Sequence, residues 1–189
     1  MLRVERLRIE RIAEMVREVC NIGIPFSNSI DQTLEILGGK LEFGEPSKWG
    51  DSELVLQNEG EDAKFIIKVK PYKKDEKDVD EISYNRWKNF RIACQIGHLF
   101  LHTTYVETLQ DEEKELLFKK GNSARQDVEA QAFAASIVMP TYEFTEEVWK
   151  HEENNRVDMQ KVAEKFDVCL GMAKLRAEIL ELIVPWYHS

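Results

Sequence analysis

The stretch Arg91–His102, RIACQIGHLFLH, constrains this chain more than any other. Ile92, Ile96, Leu99 and Phe100 recur at intervals of three and four, which predicts a helix with one apolar stripe. Cys94, His98 and His102 stand four apart, so they share a second face of the same helix. Gln95 sits one step round from Cys94. A helix that buries one face and lines up a thiol and two imidazoles on another belongs in the centre of a domain.

The layout is that of a zinc-peptidase helix with two letters changed. In His-Glu-x-x-His, histidines at i and i+4 hold the metal, and the Glu takes a proton from the bound water. Here the first His position is Cys94, the Glu position is Gln95 and the second His is His98. Ala93–His98, followed by Leu101-His102, resembles the ImmA/IrrE family of small bacterial metallopeptidases, whose helix typically reads Ala-His-Glu-x-Gly-His-x-x-Leu-His. Val128–Pro140, VEAQAFAASIVMP, resembles that family's second helix, Glu-Ala-Asn-x-Phe-Ala-x-x-Leu-Leu-Met-Pro. The resemblance implies an α+β, minimal zincin-like domain, with a small, mainly antiparallel sheet packed on the motif helix and further helices around it. It also implies that Glu129, 31 residues after His98, completes the zinc site.

The ligands and the base fare differently. A thiolate is a good zinc ligand, so Cys94, His98 and Glu129 form a candidate metal set; the other reading has no metal at all. A thiolate with a carboxylate would neutralise the ion formally and weaken its pull on water. Gln95 is an amide and cannot accept a proton near neutral pH. General acid–base catalysis contributes roughly 10²–10⁴-fold, so its loss is large. Asp127 or Glu107 are the carboxylates that would have to replace it. Without metal, Cys94 reads as a small buried residue, His98 as a core histidine paired with Glu129, and His102 as a structural neighbour.

At 189 residues the chain suits one domain, 1–189, with a C-terminal helix pair at about 157–183. Hydrophobic content is 43% and charged content 32%, as in a soluble globular protein. No apolar run approaches the roughly 20 residues of a membrane span. The N-terminus lacks the continuous apolar block of an export signal, so the cytoplasm is the default location. Three cysteines make no disulfide framework. The net charge of −9 opposes nucleic-acid binding.

The rest of the chain divides by periodicity and breakers. Val4–Cys20 reads as an amphipathic helix, and 29–37 as a second one, capped near Ser29 and ended by Gly38-Gly39. Strands are predicted at 40–43, 52–57 and 63–70, with a turn over 58–62. Residues 71–81 are dense in charge and read as a loop, and 82–90 leads into the motif helix. A charged segment covers 109–120, a turn 121–123 and a helix 127–138, ended by Pro140. Residues 144–152 are expected to be helical. The C-terminal pair turns at 167–171, with Met172, Leu175, Ile179 and Leu182 lining its second helix. That pair has a helix-turn-helix outline.

Functionally, these residues point to a catalytically inactive zinc-peptidase-like protein that binds a protein or peptide, and the family resemblance implies a transcriptional regulator as partner and a mobile element as setting. Two alternatives follow from the same residues. One is an active zinc endopeptidase with Cys-His-Glu ligands. The other is a DNA-associated regulator that uses Lys174 and Arg176 of the helix pair.

Overall fold

The computed structural model describes residues 3–46, 51–57, 62–73, 80–103, 123–154 and 156–182. Helix α1 spans Arg3–Cys20. A 3₁₀ turn at Phe26–Ser29 leads into α2, Ile30–Leu37. Strands β1 (Gly39–Phe43), β2 (Ser52–Leu56) and β3 (Phe65–Val69) follow. The long helix α3 is Glu81–His102, α4 is Ser123–Val138 and α5 is Thr141–Lys150. A two-residue hairpin, β4 (Glu152–Glu153) and β5 (Arg156–Val157), precedes α6, Met159–Phe166, and α7, Leu170–Ile179.

The main sheet has the order β1-β3-β2. β1 runs parallel to β3, with Gly39 opposite Phe65, whereas β2 runs antiparallel to it, with Leu54 opposite Ile67. The alternation seen in the sequence puts Phe65, Ile67 and Val69 wholly inside. α3 packs on β2 and β3 and also against α4, and α4 packs in turn on α1. The buried apolar residues of all these elements form one continuous cluster. Mixed α+β architecture with a small sheet against a central helix is thus what the sequence led one to expect.

The first part of the chain follows its local signals. Gly38 closes α2 in the left-handed region at φ 71°, where a side chain would be strained. Ser29 does not cap α2 with its side chain; its Oγ accepts instead from the Gly23 amide at 3.0 Å. Further on the boundaries shift. α4 begins at Ser123, inside the stretch read as a turn. α5 begins at Thr141, because Pro140 ends one helix and supplies the extended residue that opens the next. The calls on 58–61, on 109–120 and on Glu107 lie outside the described residues.

The C-terminal pair departs furthest from its periodicity. Its turn is Asp167–Cys169, with Asp167 left-handed at φ 53° and bonded to Arg86 Nε at 3.0 Å. The inward face of α7 is Ala173, Arg176 and Ala177, while Leu175 is largely exposed. Arg176 is 1% exposed. It donates to Glu10 Oε1 at 2.9 Å, to the Met139 carbonyl at 3.0 Å and to Thr141 Oγ1 at 3.0 Å. A guanidinium consumed by three partners inside the domain cannot read DNA, which removes Arg176 from the DNA-binding alternative.

Removing one partner of such a pair strands the other charge. Arg176→Met is therefore expected to lower unfolding free energy by about 3 kcal/mol in a denaturant titration. Most of that loss should disappear when Glu10→Gln is added.

Candidate functional site

α3 is long because both its start and its middle are secured. The Asp80 carboxylate accepts from the Ser83 amide at 2.9 Å, which caps the first turn and holds that carboxyl below the usual range. About a turn and a half before its end, Gly97 lets α3 touch α4. A Cβ there would stand 3.0 Å from the Ala130 carbonyl oxygen and 3.1 Å from its Cα. The residue before Ala130 on α4 is Glu129, so this contact fixes the distance between the two halves of the site.

Cys94 is buried, and burial pushes its thiol up to about 12, Arg91 pulling the other way and Asp127 adding to the rise. It therefore stays protonated at neutral pH. Gln95 donates its amide to Ser52 Oγ, at the start of β2, at 2.9 Å. His98 Nδ1 lies 3.1 Å from His102 Nδ1. His102 Nε2 lies 3.0 Å from Glu129 Oε2, in a pair that is 5% and 3% exposed. Arg125 Nε donates to the other oxygen, Glu129 Oε1, at 2.9 Å. Arg125 also bonds Glu5 of α1.

The contacts assign the tautomers. Glu129 needs a proton on His102 Nε2; in the tautomer that meets this need, His102 Nδ1 accepts and His98 donates there. Neutral His98 is then left with a bare Nε2, 3.4 Å from Asp127 Oδ1. Burial, reinforced by His102, pulls the His98 value below that of a free imidazole, and Asp127 opposes this only in part.

One expectation is corrected by this geometry. Glu129 is paired with His102 and Arg125, not with His98, because His102 lies one turn further along α3 and level with it. The carboxylate beside His98 is Asp127. His102 is thus the link between His98 and Glu129. Arg125 and Ser52 were missed. The i, i+4 spacing of Arg125 and Glu129 could have shown the first; nothing in the sequence ties Ser52 to Gln95, 43 residues later.

A zinc ion held by Cys94, His98 and Glu129 does not fit this arrangement. Both oxygens of Glu129 already accept charge-assisted bonds, one from Arg125 Nε and one from His102 Nε2. Among the described residues, no three His, Cys, Asp or Glu side chains converge on one point.

A helix that bears the motif positions, laid across a small sheet and braced by a second helix that carries the carboxylate, defines a zincin-like peptidase domain. The family model for the IrrE N-terminal-like domain, peptidase M78, matches residues 84–178, just over half of the chain. The chain belongs to this ImmA/IrrE family. No curated protein matches it. No described helix is long and apolar enough to cross a membrane.

Gly97→Ala should force α3 from α4 and destabilise the protein by about 1–3 kcal/mol, read by denaturant unfolding. Glu129→Gln removes the charge and one of the two acceptors that meet His102 and Arg125, and should destabilise it by about 3 kcal/mol. In a double-mutant cycle with Arg125→Met, the two changes should be clearly non-additive.

Proposed function

We propose that this IrrE-like domain binds an extended protein or peptide segment in the cytoplasm and does not cleave it, acting on a transcriptional regulator within a mobile element. The observation that supports this reading is the Gln95 side chain. It is an amide where a peptidase needs a proton acceptor, and its N–H is committed to Ser52 at 2.9 Å. In the place of a base there is a tie between the motif helix and the edge strand.

That tie gives the binding reading its form. β2 is an outer strand, and its far edge pairs with no strand among the described residues. An extended peptide can add to such an edge through main-chain hydrogen bonds. Gln95 holds the start of that strand against α3, the helix that also carries Cys94 and His98. The implied metal has no part in this binding.

One observation favours a hydrolytic reading instead. Asp127 is exposed and stands beside His98 Nε2, so a replacement base has a candidate there.

The two readings separate in one assay. Purified protein is incubated with candidate repressors, with added zinc and with a chelator. No cleavage is expected under either condition, and Gln95→Glu alone is expected to restore none. Chelator-sensitive hydrolysis that is abolished by Asp127→Asn would establish the second reading and end the first.

A further inference from the structure

A groove of about 1030 Å³ opens between α1 and α5, and no residue of α3 lines it. Its length follows from its walls. The α5 side runs from Thr141 to Trp149, about 12 Å of helix, and Leu7 to Glu18 of α1 form a comparable length on the other.

The two walls carry the same sign. α1 presents Glu14 and Glu18, one turn apart, and α5 presents Glu143 and Glu146. All four are exposed. Of the other charged liners, Glu10 is taken by Arg176, and the Arg17 guanidinium is turned to the floor, where it bonds the carbonyls of Ile137 and Ile22. Arg11 is the remaining positive group against four carboxylates. Glu146 accepts from Tyr142 Oη at 2.7 Å and Glu143 interacts with the Arg17 charge, whereas Glu14 and Glu18 stand one turn apart on one helix, where like charges repel.

The rim adds a second, separate feature. Tyr142 and Trp149 on α5 are 69% and 62% exposed, and Leu7 on α1 is 53% exposed. Aromatic residues that remain open on a surface are typical anchors of protein interfaces, and their ring faces attract cations. The acidic walls exclude a nucleic acid and complement a basic chain.

We propose that the α1–α5 groove docks a Lys/Arg-rich amphipathic segment of a protein partner, with its cations between the carboxylate walls and an apolar side chain against Trp149. This surface is separate from the β2 edge, and its test does not depend on the state of the peptidase site.

The probe is a synthetic amphipathic Lys/Leu helix, titrated into the isotope-labelled full chain at physiological salt and followed by amide NMR shifts. Shifts are expected along Glu14–Asn21 and Thr141–Lys150. Glu14→Lys/Glu18→Lys and Glu143→Lys/Glu146→Lys should each weaken binding about tenfold, and Trp149→Ala should weaken it further. Glu152→Lys/Glu153→Lys, an equal reversal on the exposed β4 strand, should leave it unchanged. Absence of binding, shifts centred on β2, or equal losses from the β4 reversal would overturn the proposal. Self-association of the free chain through the same amides would also overturn it, because a second copy would then be the occupant.

Discussion

Everything at the centre of this molecule depends on how closely α3 and α4 approach. The two backbones meet where Gly97 faces Ala130, at a distance that excludes a side chain on α3. At that separation the imidazole of His102 reaches Glu129 directly. A wider spacing would leave a buried carboxylate without its neutral donor, at a cost of several kcal/mol. The small residues in Ile-Gly-His and Glu-Ala are therefore steric conditions for the polar chain beside them. The same contact lets α4 pack on α1 from its other side, where Arg125 bonds Glu5.

The site shows what becomes of a metal-type arrangement when its chemistry is altered letter by letter. The thiol of Cys94 is held neutral by burial. The amide of Gln95 is spent on Ser52. The buried negative charge of Glu129 is met by a guanidinium and an imidazole N–H. Gln95 and Glu129 each have another partner inside the protein, and Cys94 is packed in the core. The result is a connected chain, Arg125–Glu129–His102–His98, that joins two helices by hydrogen bonds and ends at the Asp127 carboxylate near the surface.

Arg176 plays a comparable part at the other end of the fold. It bonds the Met139 carbonyl just past α4, the first residue of α5 and a carboxylate of α1, so one side chain of α7 ties together α1, α5 and the end of α4. Burying a guanidinium is costly, and three acceptors are what offset it. Hydrophobic periodicity treats such a residue as exposed, which is why Leu175 rather than Arg176 looked inward on α7.

By itself the sequence determined the elements whose signals are local. The apolar stripe of α3, the alternation of β3, the Gly38 stop of α2 and the paired motif segments all carry their period or their breaker within a few residues. It also determined that no carboxylate stands at position 95. Only the tertiary structure decided which side chains meet. That Glu129 pairs with His102, that Asp127 faces His98 and that Gln95 ties down Ser52 depend on the crossing of α3 with α4 and with β2. A helix crossing is set by packing over whole faces, and a one-turn difference along it exchanges one histidine for the next.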